Sequence, residues 1–451
     1  MIELKTLLRT AGRLGICYLA CLVLFTVLLI LSYCIPTRFM HSNMEESIMT
    51  LESEGSTWHM IDGGENWRLD NFTLAMMLNT ACHGDSDPIR NAFYSPLVGT
   101  YTDDYDPIER LSTGLDQPDD GPGRTSYMRY WHGYLVVLKP LLCFLNLTQI
   151  RMLLLVVVSA LLAITMVALA RREGPAIAVL FGISFVAFNY IVGVFSLSFV
   201  FCPLLALVGA LLVLSKSKSV PMGSSSFFDT WTIPFFVLGA LTSYLDFLTF
   251  PLITLCIPLS MLVFLSRHNI GKGTMWRSIG WVCALCVCWG LGYATIWTSK
   301  WVLATLVTQQ NVIEDALHDM HTRTGHKVEG EYIGPLDAPL ANLWLAFPFW
   351  SVVLWAGAVV ATFLPPIRRR LASWLPSKTQ GYWWVAPIAL IALIPYVWYF
   401  FASNHSQIHF WFTYRAQLGT LICIMYVWVG FLATSAQPRA IPARHMSQAQ
   451  G

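Results

Sequence analysis

The residues with chemistry to offer are carboxylates and cations placed beside apolar runs. Glu45 and Glu46 stand in NMEES and Asp70 in RLDNFT, within a stretch, 38–127, that carries sixteen acidic residues against five basic ones. A carboxylate in a cavity can take the proton of an attacking hydroxyl. Asp246 is the most unusual acid, because LTSYLDFLTFPLITL surrounds it with apolar side chains, where a charge needs a partner or a water-filled space. The cations are Arg129 and His132 in MRYWHGY, Lys300 in GYATIWTSKW, and His405, His409 and Arg415 in NHSQIHFWFTYR. At the edge of a membrane such a set can hold a phosphate, and arginine offers it a bidentate fork.

Each of these residues also has a plainer use. Asn43 and Glu46 have capping-box spacing, and Asp70 or Asn71 can cap a helix that begins in DNFTLAMML. Asp246 can be satisfied by buried hydrogen bonds, and the cations can snorkel to an interface. His318, His321 and His326 follow Glu314 and Asp315 without any zinc spacing. Asp103, Asp104, Asp106, Asp116, Asp119 and Asp120 lack the EF-hand pattern and read as a solvated surface. Cys283, Cys286 and Cys288 fall in an apolar run and read as packing residues, so no metal and no cofactor is expected. Asn71, Asn146 and Asn404 each begin a glycosylation sequon.

What must position these groups is a membrane frame. The chain of 451 residues is 55% hydrophobic and only 12% charged, about half the usual charged share of a globular protein. Ten segments approach the roughly 20 apolar residues that a crossing requires. They are 16–35, 151–170, 175–193, 195–214, 231–247, 249–266, 279–298, 342–364, 383–401 and 417–434. In that scheme every basic cluster falls on one side: Lys5, Arg9 and Arg13; Arg171 and Arg172; Lys216 and Lys218; Arg267, Lys272 and Arg277; Arg368, Arg369, Arg370 and Lys378; Arg439 and Arg444. Basic residues mark the cytoplasmic face. The expectation is thus a multi-pass protein of the cell membrane with both termini cytoplasmic and the acidic loop outside.

The fold expected is an all-α polytopic membrane protein of about ten transmembrane helices, with a large first extracytoplasmic loop carrying interfacial helices. Its divisions are a first helix in 1–37, the loop in 38–150, helices two to seven in 151–298, a second outer loop in 299–341, helices eight to ten in 342–434, and a tail in 435–451. Tyr127, Tyr130, Trp131 and Tyr134 are expected at headgroup depth. Membrane lipids are the expected surroundings, and nothing points to nucleic acid.

With NMEES, RLDNFT, MRYWHGY, GYATIWTSKW and NHSQIHFWFTYR set on this frame, the chain resembles the GT-C superfamily of polytopic glycosyltransferases. The resemblance implies a polyprenyl-phosphate-linked sugar as donor, a glycan or lipid as acceptor, and inversion at the anomeric carbon. It places the catalytic base at Glu46 or Glu45, with Glu-Glu where the family has Asp-Glu. Asp70 is the second choice, Arg129, Lys300 and Arg415 meet the departing phosphate, and His132, Asp246, His405 and His409 bind substrate. A transporter or flippase of a glycolipid or other amphiphile is the alternative, and a noncatalytic scaffold is a third reading.

Overall fold

The computed structural model describes residues 4–435, apart from 101–105, 122, 225, 329 and 378–380. It is almost wholly helical; among the described residues the only strands are two short antiparallel pairs, Pro96–Leu97 with Thr125–Ser126 and Lys327–Val328 with Glu331–Tyr332. Asp103, Asp104, Lys378, Arg439 and Arg444 lie outside the described residues.

The ten expected spans are not there. Among the described residues four helices are long and apolar enough to cross a membrane: Leu8–Tyr33, Leu147–Glu173, Met275–Thr308 and Phe410–Thr434. A fifth is reached only by counting Asp337–Ala346 and Phe349–Thr362 as one span, although they meet at 59°. Pro348 caps the second of that pair and sets the break. Most of the other expected spans are cut short, while Phe227–Leu245 has 19 residues but is not apolar enough. The apolar text of 175–193 folds as Pro175–Ala187 and Tyr190–Phe195, separated at Asn189, whose φ of 50° is left-handed. A 13-residue helix is roughly 20 Å long, against a hydrocarbon core of about 30 Å. In Ile253–Leu265 all thirteen residues are buried, so this helix is apolar on every side because it is enclosed by protein. The chain is therefore a mostly helical membrane protein with about four membrane-length helices among its described residues and a large packed all-α body.

Close backbone approach joins that body to the third long helix. A Cβ on Gly239 would fall 2.0 Å from Trp289 O, and one on Gly292 would fall 2.0 Å from Phe236 O. Small residues on both helices let Phe227–Leu245 and Met275–Thr308 touch. Arg13 pairs with Asp229 at 2.8 Å, and the Tyr244 hydroxyl donates to Phe25 O at 2.9 Å, docking the first helix on the same pair.

The acidic stretch folds into short helices, His41–Glu54, Asn71–Ala81, Pro88–Tyr94 and Pro107–Gly114. A buried ion pair ties it to the second long helix. Arg151 holds Glu54 through two bonds of 2.7 and 3.0 Å and also donates to Asn71 Oδ1 and Phe195 O. The expected headgroup-depth aromatics are enclosed instead: Trp131 is fully buried, its indole donating to Ile296 O, and Tyr130 and Tyr134 are buried beside it. Of the three sequons, Asn71 and Asn404 are buried, and Asn146 caps the Leu147–Glu173 helix.

Candidate functional site

The loop and the ends of several helices enclose a polar cavity of about 380 Å³. Its lining combines charge with flat rings: Arg68, Asp70, Tyr127, Tyr130, Phe247, Thr249, Arg323, His405, His409, Trp411 and Phe412 among others. Asp70 is set there by its capping duty. Its Oδ1 accepts from Thr73 N at 3.2 Å and its Oδ2 from the Ser198 hydroxyl at 2.9 Å. Burial raises its pKa above the ordinary carboxylate value, opposed by those bonds and by Arg68. Arg68 follows the Asn66–Trp67 turn and lies with its guanidinium 4.3 Å from the Trp411 ring centre, which fixes its plane. Arg323 ends the Val312–Arg323 helix and is only 34% exposed, with Asp319 at 3.6 Å.

The two histidines come from Ser403–Ile408 and the turn after it. Their rings stand 4.9 Å apart, and His409 stacks on Phe412 at 4.9 Å. His405 Nε2 bonds to the carbonyl of Leu248 at 2.9 Å, which makes Nε2 the donor. Burial pushes His405 down to about 4 and His409 down as well, with the neighbouring arginines adding to the effect. Both rings are therefore neutral at pH 7, and the fixed positive charge comes from the two arginines.

A second, apolar cleft of about 510 Å³ opens beside the first, between Pro175–Ala187 and Phe349–Thr362. Its walls include Asn66, Trp67, Val186, Phe188, Trp350, Leu354, Ala358 and Leu421. The segment Asn66–Arg68 is the partition: Asn66 and Trp67 line the cleft and Arg68 lines the polar cavity. Arg415 secures that partition by donating to Asn66 O at 2.9 Å while also bonding Trp411 O.

The structure thus brings together Asp70, His405 and His409 of the residues singled out from sequence. It does not bring Glu45 or Glu46 to the cavity. Both are exposed; Glu46 accepts from Asn146 Nδ2 at 2.6 Å, and Glu45 stands 3.8 Å from His41. The capping box is not formed either, because the helix begins at His41 and Asn43 donates to Leu142 O. Arg129 is held by Asp315 and Asp319 at 2.9 and 3.7 Å, beside a smaller cavity of about 170 Å³. His132, at a left-handed φ of 53°, bonds Tyr127 O and Tyr134 Oη, and burial pushes it down to about 3. Lys300 is fully buried and donates to Ala92 O and Phe93 O. Asp246 is closed in by Thr249 and Cys202, so it positions Thr249 at the cavity wall. Arg68 and Arg323 were not singled out. Arg68 stood in view inside RLDNFT, whereas nothing local marks Arg323.

No protein family, curated protein or solved structure matches this chain. The GT-C resemblance falls on the architecture. That superfamily is polytopic, and this chain has four membrane-length helices, or five with the bent pair, among its described residues. The glycosyltransferase activity rested on that frame and goes with it, as does the transporter or flippase alternative. Among the described residues there is also no group of three or more histidines, cysteines or acids arranged to hold a metal ion.

Proposed function

We propose that this membrane protein is a binding protein for an anionic amphiphile. The charged head lies in the polar cavity between Arg68 and Arg323, and the hydrocarbon chain lies in the adjoining apolar cleft. The observation that carries this is the shared partition: three consecutive residues, Asn66, Trp67 and Arg68, face apolar space on one side and a cationic, aromatic-lined space on the other. A pocket of this kind, mostly apolar with a few placed polar groups, is the usual form of a small-molecule site. Guanidinium groups suit a phosphate because they bond it in pairs and remain charged. Tyr127, Tyr130 and Phe247 supply flat faces for the rest of the head group. Arg9 and Arg13 in the first long helix and Arg171 and Arg172 at the end of the second support a cytoplasmic N-terminus with the cavity on the opposite face.

The shared chemistry is a phosphate, carried by a glycerophospholipid or free in solution, and the assay separates the two. Full-length protein in nanodiscs of neutral lipid is titrated with fluorescent phosphatidate, inorganic phosphate and a fluorescent neutral diacylglycerol. Binding of phosphatidate but not of the diacylglycerol supports the proposal, and binding of inorganic phosphate alone contradicts it. Equal retention of all three, or of none, contradicts it.

A further inference from the structure

The polar cavity has a second partition. Phe247 and Thr249 line the polar cavity, while Leu248 between them lines the smaller cavity of about 170 Å³. The same alternation occurs at Asn66–Arg68, where consecutive residues face apolar space on one side and polar space on the other. A left-handed backbone produces it here. Leu248 has a φ of 65°, a conformation that strains a residue bearing a Cβ, and His405 Nε2 holds the turn by donating to its carbonyl at 2.9 Å. Tyr130 and Arg323 complete the partition, since each lines both spaces.

The smaller cavity is walled mostly by apolar side chains, among them Trp297, Ala316, Met320, Trp398 and Phe401. Its charged groups are paired with one another: Asp319 stands 3.7 Å from Arg129 and 3.6 Å from Arg323. An apolar cavity of about 150 Å³ stays dry and takes up a benzene-sized group, so this one has room for a chain segment of about six carbons. A longer chain has a path outward. Met320 and Phe401 are exposed, and Leu393, Val397 and Phe400 continue an exposed apolar row along the Val385–Phe401 helix. The larger cleft of about 510 Å³ holds a single chain, since at roughly 30 Å³ per water-sized group it is filled by about 17 carbons. A lipid with two chains needs a separate space for the other.

We propose that the ligand is a two-chain anionic phospholipid, with one chain in the cleft beside Asn66–Arg68 and the other entering the smaller cavity past Leu248. This rests on the amphiphile reading above and narrows its ligand class. Arg323 then serves both parts, its guanidinium toward the phosphate and its aliphatic stem along the second chain.

Competition against fluorescent phosphatidate tests it, with full-length protein in nanodiscs of neutral lipid. The competitors are unlabelled phosphatidate and the lysophosphatidate carrying one of its two acyl chains. Phosphatidate should bind at least about 10-fold more tightly, the gain from burying as few as two further methylenes. Ala316→Phe, which fills the smaller cavity, should bring phosphatidate to the level of lysophosphatidate and leave the latter unchanged. A crystal structure with phosphatidate brominated on both chains should show bromine in each apolar space. Equal or tighter binding of lysophosphatidate, a preference that survives Ala316→Phe, or bromine in the larger cleft alone overturns this inference while the amphiphile reading stands. Failure of both lipids to bind overturns that reading as well. The wild-type ratio and the bromine positions decide the matter even if the variant does not fold.

Discussion

The joint between Arg151 and Glu54 sets the position of the cavity wall, and cutting it has a calculable cost. Arg151 is 3% exposed and makes two bonds to Glu54, one to Asn71 and one to Phe195 O. Arg151→Met leaves Glu54, itself only 13% exposed, with Asn71 Nδ2 at 2.9 Å as its remaining hydrogen-bond partner. Removing one member of a buried pair costs about 3–5 kcal/mol, because the other charge stays buried without compensation. The double variant Arg151→Met with Glu54→Leu should recover most of that loss, since both charges are then gone. Denaturant titration of the full chain in mixed micelles measures each difference. Asn71 follows Asp70 directly, so the single variant should also weaken head-group binding. A single-variant cost below about 1 kcal/mol, the range of exposed pairs, would refute the claim that this pair is a buried structural joint.

Four further outcomes are expected. Arg68→Gln and Arg323→Gln should each weaken binding of an anionic head group by about 10- to 150-fold, from about 1.5–3 kcal/mol per charged hydrogen bond, with the neutral lipid unaffected. Ala358→Trp, which fills the apolar cleft, should weaken long-chain ligands while leaving a short-chain phosphate unchanged, read by the same titration. Gly292→Ala should lower Tm, since its Cβ meets Phe236 O at 2.0 Å, and overpacking of that kind costs about 1–3 kcal/mol. Buried histidines give the pH dependence. His132 and His405 have folded values of about 3 and about 4, below the ordinary 6.5, so the unfolded chain binds more protons between those limits. Stability is fully present above pH 6.5 and falls as pH drops toward 4, by at most about 1.4 kcal/mol per pH unit for each histidine. His132→Asn, which tolerates the left-handed backbone, should flatten a Tm-against-pH profile; an unchanged slope would count against this cause.

What sequence shows well is local. The Asp70 cap and the Asn71–Ala81 helix follow from DNFTLAMML, and the runs 16–35, 151–170, 279–298 and 417–434 lie in the four membrane-length helices among the described residues, whereas the longest run, 342–364, is broken at 59°. The short apolar runs misled because hydrophobicity on all sides has two causes. Ile253–Leu265 is enclosed by protein on every face, and its composition cannot be told from that of a lipid-facing helix. The break at Asn189 depends on a single left-handed residue, which periodicity does not register. The same holds for the site. His405 and His409 were visible as a pair on one turn, whereas Arg323 joins them only through the folding back of a distant helix. Lys300 and Arg415 looked like free cations, yet backbone carbonyls claim both.

The central claim is a divided site, with head and chain on opposite sides of Asn66–Arg68. Its most direct test is a structure of the full-length protein bound to an anionic lipid carrying bromine on its acyl chain. The head group is predicted between Arg68 and Arg323, with the bromine signal beside Val186 and Leu354. Bromine confined to the outer helix surface, with the polar cavity unoccupied by the head group, would contradict it.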